Sequence, residues 1–158
     1  MRRRDALAIS MLPLAGCSPS GFDEAPDYHA RALSGSKFTK ASLKGKVVLV
    51  QLWATWCGYC RREQPVLDEL VRQFAPKGLT LLAVNVGESR DTVEQYLREM
   101  PREPHVVLEN DTNLAKFYNS GGFPAYVLID REGKLAGAQR GAGGEEALRE
   151  LLSRAGIS

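Results

Sequence analysis

The sequence predicts an α/β fold, a mixed sheet covered by helices on both faces, and three observations carry that expectation. Val47–Trp53 is a nearly continuous run of β-branched and large apolar residues, as in a strand buried on both faces. Leu79–Val86 repeats that pattern. Between them Val66, Leu67, Leu70, Val71 and Phe74 recur at helical spacing until Pro76 and Gly78 stop the run. Further alternation, then an antiparallel pair and a last helix, closes such units into one mixed sheet. The 158 residues suffice for one domain with a short appendage.

The first sixteen residues read as an export signal. Arg2, Arg3 and Arg4 precede an apolar run from Ala6 to Ala15, broken by Ser10 and Pro13. The run is shorter than the roughly 20 apolar residues that a bilayer span needs. Leu14-Ala15-Gly16-Cys17 resembles the bacterial lipobox, which implies lipidation of the Cys17 thiol and cleavage just before it. An ordinary signal peptide with a nearby cysteine is the alternative. The expected organisation is residues 1–16 as a lipoprotein-type signal peptide, 17–30 as a lipidated N-terminus and flexible tether, and 31–158 as the folded domain. The tether is rich in Ser, Pro, Gly, Asp and Glu, with little apolar periodicity. Three cysteines is an odd number for an exported protein, and lipidation of Cys17 leaves a pair.

Within the domain, Ala32–Phe38 and Leu43 suggest a hairpin or extended lead-in turning at Ser34-Gly35-Ser36. Asp91–Met100 is a short helix with Val93, Tyr96, Leu97 and Met100 on one side, ended by Pro101. Val106–Leu108 is a brief strand, and Asp111 is placed to cap a helix through Tyr118. Tyr126–Ile129 turns at Asp130–Gly133 into Lys134–Gln139. Glu145–Ala155 is an amphipathic helix with Leu148, Leu151 and Leu152 inward. There are no internal repeats.

Charge narrows the partners. Of 21 basic and 19 acidic side chains, the segment before Cys17 holds three and one, which leaves 18 of each. A neutral body without a basic, aromatic-laced stripe argues against nucleic-acid binding.

The chemistry concentrates at Trp56-Cys57-Gly58-Tyr59-Cys60. Two cysteines three positions apart face each other when the second lies in the first turn of a helix. The first then sits at the helix N-terminus, where unpaired amides and the macrodipole favour a thiolate. The thiolate is the attacking species in disulfide exchange. Structural zinc needs four ligands, but only two cysteines remain and His29 and His105 lie far off in sequence. Haem attachment needs histidine where Arg61 stands. The expectation is a redox pair without metal or cofactor.

Val47–Cys60, with Gly45-Lys46 before it and Trp-Ala-Thr-Trp-Cys-Gly-Tyr-Cys at its end, resembles the active-site strand and helix start of thioredoxins. More narrowly it resembles the membrane-anchored TlpA/ResA/DsbE-like thiol–disulfide oxidoreductases. Gly122-Phe123-Pro124-Ala125-Tyr126-Val127-Leu128-Ile129-Asp130 resembles the segment that carries the superfamily's cis-proline. The similarity covers about Ala32 to Ala155. The resemblance implies a thioredoxin fold with an N-terminal hairpin extension, and makes the 91–108 region the central helix–strand insert of the TlpA-like branch. It further implies that Cys57 is the nucleophile, Cys60 resolves the mixed disulfide, and Pro124 is cis with Phe123 pairing to substrate backbone. Trp56 flanks the site, and Pro65 kinks the helix as a structural proline.

Glu63 matches an acidic residue of the ResA-like branch that assists proton transfer near the buried sulfur; a solvated first-turn carboxylate is the bland alternative. Thioredoxin itself uses a buried aspartate where this chain has Gln51, which does not titrate. The resemblance implies a monomeric, lipid-anchored protein of the cell envelope facing the periplasm or extracytoplasmic space. Gly58-Tyr59 adds no charge between the cysteines, so the expected direction is reducing. The implied partners are exported proteins with disulfides, apocytochrome c among them, and a membrane electron donor of the DsbD or CcdA type. Two other classes remain open: a peroxiredoxin-type thiol peroxidase and a non-catalytic thioredoxin-fold binding lipoprotein. The peroxidase needs Pro-x-x-x-Thr-x-x-Cys, yet Thr55 is two residues before Cys57 and Val50 stands at the proline position.

Overall fold

The apolar run at 47–53 becomes an interior strand of a seven-stranded sheet in the computed structural model, which describes residues 23–158. The expected signal peptide and lipidation site at Cys17 lie outside the described residues. In chain order the strands are β1 (His29–Ala32), β2 (Lys37–Thr39), β3 (Val47–Trp53), β4 (Leu79–Asn85), β5 (His105–Thr112), β6 (Ala125–Ile129) and β7 (Leu135–Arg140). The helices are α1 (Gly58–Phe74), α2 (Arg90–Glu99), α3 (Leu114–Tyr118) and α4 (Gly144–Ser153). The spatial order β2-β1-β5-β4-β3-β6-β7 puts β3 between a parallel neighbour, β4, and an antiparallel one, β6.

Every residue of β3 is buried, and alternation divides them between two cores. Val47, Leu49 and Trp53 face Leu67, Leu70 and Phe74 of α1, Val93 of α2 and Leu148, Leu151 and Leu152 of α4. Val48, Val50 and Leu52 face Leu114 and Ala115 of α3, with Tyr28 and Leu43. A 3-10 turn at Ala75–Lys77 follows α1 and ends on Gly78, whose φ of 93° suits the left-handed cap.

Three boundaries differ from the sequence expectation. The folded body begins before residue 31: Ala25 and Tyr28 are buried, and Glu24 bridges to Lys134 within the segment expected to be tether. The hairpin starts at His29, since its alternation of exposed His29 and Arg31 with buried alanines carries little apolar signal. Asp111 caps nothing; it lies inside β5, which extends to Thr112 as the partner of β1. Asn113 precedes α3, and its side chain instead holds the lead-in chain through the His29 amide and the Asp27 carbonyl.

The first described residues sit at one end of the sheet. The Leu135 amide donates to the Asp23 carbonyl and the Ala25 amide to Gly133, beside the β6–β7 turn. That turn adjoins the beginning of β3, because β6 runs antiparallel to it. The Cys57 loop leaves the other end.

Candidate active site

Cys57 and Cys60 are joined as a disulfide with Cα atoms 5.3 Å apart. Cys57 is the N-cap of α1, and its Sγ accepts the Cys60 amide at 3.1 Å. The same helix end that leaves amides unpaired thus aims one at the first sulfur, the position that stabilises a thiolate after reduction. Both cysteines are buried, whereas the neighbouring Trp56 and Tyr59 are 68% and 61% exposed. Exposed large aromatics beside a recessed disulfide form an apolar rim.

The Phe123–Pro124 peptide is cis. Phe123 is half-buried, and its ring lies 5.8 Å from that of Trp56, which brings the proline loop against the active-site loop. The Gly141 amide holds the Pro124 carbonyl at 2.8 Å. Arg61 does not face the sulfurs freely: its Nε donates to the Thr55 carbonyl at 2.9 Å, while Arg62 lies over the Tyr59 ring.

Glu63 is buried, so the solvated alternative fails. It lies one turn beyond Cys60 on the buried side of α1. Its Oε2 accepts the Tyr126 hydroxyl at 2.5 Å and its Oε1 the Gly144 amide at 2.8 Å. Tyr126 in turn accepts from Gln51 Nε2 at 3.3 Å, and Arg102 donates to Gln51 Oε1 at 2.7 Å. Burial, then the bond and charge of Glu63, push the Tyr126 phenol far above its ordinary 10.

The site holds a second carboxylate that no sequence motif marks. Glu88, in the turn after β4, accepts from the Thr55 amide at 2.8 Å, the Thr55 hydroxyl at 2.5 Å and Asn85 Nδ2 at 2.6 Å. Burial raises the proton affinity of Glu88, but the hydrogen bonds from Thr55 and Asn85 outweigh it and hold the carboxyl below its ordinary 4.5. It clamps the loop two residues before Cys57. Gly87-Glu88-Ser89 carries no apolar pattern or motif that marks it, nor does Arg102, and Tyr126 reads only as one more aromatic of an apolar strand. Among the described residues, no three His, Cys, Asp or Glu side chains group closely enough to hold a metal ion.

Known proteins match this architecture. The profile described as the AhpC/TSA family matches residues 22–138. The thiol-disulfide oxidoreductase ResA of Bacillus cereus (strain ZK / E33L) is 30% identical over 131 residues, covering 83% of this chain and 76% of that protein. ResA of Geobacillus kaustophilus is 33% identical over 111 residues, 70% of this chain and 64% of the relative. A thiol:disulfide interchange protein of the thioredoxin family from Chlorobium tepidum TLS superposes with a TM-score of 0.76 at 26% identity, covering 87% of this chain and 99% of its own. The relatives carry disulfide-exchange names, which lend nothing to the peroxidase or non-catalytic alternatives. With a Cys57–Cys60 disulfide at the end of a buried central strand, the chain belongs to the AhpC/TSA family and, within its thioredoxin fold, to the ResA-like thiol–disulfide oxidoreductases.

Proposed function

We propose that this oxidoreductase works outside the cytoplasm, anchored to the membrane through lipid on Cys17, and reduces disulfides in exported proteins such as apocytochrome c. The observation that carries the site assignment is the capping of α1 by Cys57 beside exposed Trp56. The reduced Cys57 thiolate attacks a substrate disulfide, displaces one substrate thiolate and forms a mixed disulfide. Phe123 and Trp56 receive the substrate chain beside Pro124. Cys60 then attacks Cys57 Sγ and releases the second substrate sulfur, with Glu63 taking the Cys60 proton. Two electrons pass to the substrate, and a membrane donor of the DsbD or CcdA type restores the dithiol. The export signal and lipobox-like Leu14–Cys17 support the location.

Two measurements test the reading. Reduced wild-type protein cleaves insulin disulfides, and Cys60→Ser accumulates mixed disulfides with exported proteins in cells. Wild type inert toward insulin sinks the assignment. A redox titration that gives a potential near about −120 mV overturns the reducing direction.

A further inference from the structure

The hydrogen bonds around Glu63 take their direction from a cation at the far end of the chain of contacts. Arg102 lies between α2 and β5, with its guanidinium over the Trp53 ring at 4.5 Å. Its Nε is buried without a partner, and among the described residues it makes no ion pair. Burial lowers its affinity for its proton, and Asp68 is the carboxylate whose charge opposes that effect most. Such a placement is expensive for a residue that only packs.

A guanidinium donates and never accepts, so the Gln51 oxygen must face Arg102 and the Gln51 nitrogen must face Tyr126. With its oxygen already receiving a proton from Gln51, Tyr126 directs its own at Glu63 Oε2. Oε1 faces the Gly144 amide, which also only donates. Both oxygens of Glu63 are therefore acceptors, and each bond in the series polarises the next.

We propose that Arg102, Gln51 and Tyr126 are positioning residues that present Glu63 as the proton acceptor of the resolving step. The proposal rests on the assignment of Glu63 as the base for Cys60. In that step the Cys60 thiol proton passes to Glu63 and the Cys60 sulfur bonds to Cys57 Sγ. The bond from Cys57 to the substrate sulfur breaks, and its electron pair leaves on the substrate thiolate. Glu63 is held by Tyr126 on β6 and by the Gly144 amide at the start of α4, with Arg102 reaching it through Gln51 on β3 and then Tyr126, and Cys60 lies one turn before it on α1. Asp68 and Tyr96 lie behind Arg102. The direction of donation, and not mere proximity, is what the three residues supply.

The test is stopped-flow reaction of the reduced mature protein, its Cys17 thiol blocked by the lipid or replaced by Ser, with an aromatic disulfide whose released thiol is coloured. The first release reports attack by Cys57 and depends on concentration; the second reports resolution by Cys60 and does not. Tyr126→Phe should move the acid limb of the second release to higher pH by about one unit, the scale of one hydrogen bond to a charged group. Arg102→Met should move it the same way by less, without touching the buried phenol. Glu63→Gln should remove the limb, and adding Tyr126→Phe to it should change nothing further. A limb unmoved by Tyr126→Phe overturns the proposal, as does a shift that survives in the Glu63→Gln background. A limb that persists in Glu63→Gln itself removes the base on which the proposal stands. Absence of the first release marks failure of the exchange reading, a distinct result.

Discussion

Replacing Glu88 by Ala should loosen the loop that carries Cys57, and the structure sets the scale. Asn85 is fully buried and its Oδ1 already lacks a partner, so losing the acceptor of Nδ2 leaves a wholly unpaired amide. An orphaned buried group costs about 1–3 kcal/mol. Thr55 loses the acceptor of both its amide and its hydroxyl, but the Glu88 site is only partly covered and water recovers part of that loss. The total is about 3 kcal/mol, or a fall of about 10 °C in Tm at roughly 2–4 °C per kcal/mol for a domain near this size. Glu88→Gln offers a control. Its oxygen can take both the Thr55 amide and Asn85, while its NH2 donates to the Thr55 hydroxyl, so the loss should stay at about 1 kcal/mol. Urea unfolding of both variants, with insulin reduction measured per folded molecule, reads stability and loop order together. A Glu88→Ala variant within about 0.5 kcal/mol of wild type refutes the clamp. So does a Glu88→Gln variant as unstable as Glu88→Ala.

Three further outcomes follow from the same geometry. The Glu88 carboxyl is depressed below 4.5 in the folded state, so its contribution to stability is complete above that value and is lost as pH falls through the folded value. The gap in urea midpoint between wild type and Glu88→Gln should therefore narrow from pH 6 to pH 3; a constant gap contradicts the linkage. Trp56→Ala should leave stability within about 0.5 kcal/mol, because the ring is exposed, while raising KM for a protein disulfide more than for a small aromatic disulfide. Equal effects on both substrates remove the rim from the recognition surface. Leu67→Ala, at a fully buried position on the inner face of α1, should destabilise by about 2–5 kcal/mol in urea without altering the pH profile of exchange.

What the sequence made legible was whatever a local pattern encodes. The apolar run of β3, the Cys57–Cys60 spacing and the Phe123-Pro124 segment each carry their signal within a few residues, and each stands where expected. β5 extends past its apolar stretch because the polar Glu109–Thr112 segment reaches β1 through backbone pairing that side-chain periodicity does not report. Tyr126 looked like one more core aromatic, and its hydroxyl matters only because β6 sets it opposite Gln51 and beneath Glu63. Arg102 and Glu88 reach the site across 51 and 33 positions of sequence, so only the folded register joins them to it.

The strap from Asp23 to Ala25 also sets the end of the sheet at which the chain enters the fold. It leaves the sheet beside the β6–β7 turn, and the disulfide lies beyond the opposite end of β3, a strand of seven residues or about 20 Å. Six residue steps separate Cys17 from Asp23 and reach at most about 20 Å. If Cys17 carries the lipid, as proposed, the β6–β7 end of the sheet lies nearer the bilayer than the aromatic rim. Under the proposed anchoring, a soluble substrate would meet Trp56 without approaching the lipid, and a membrane-embedded donor would have to extend a domain of its own past the length of the sheet to recharge the pair.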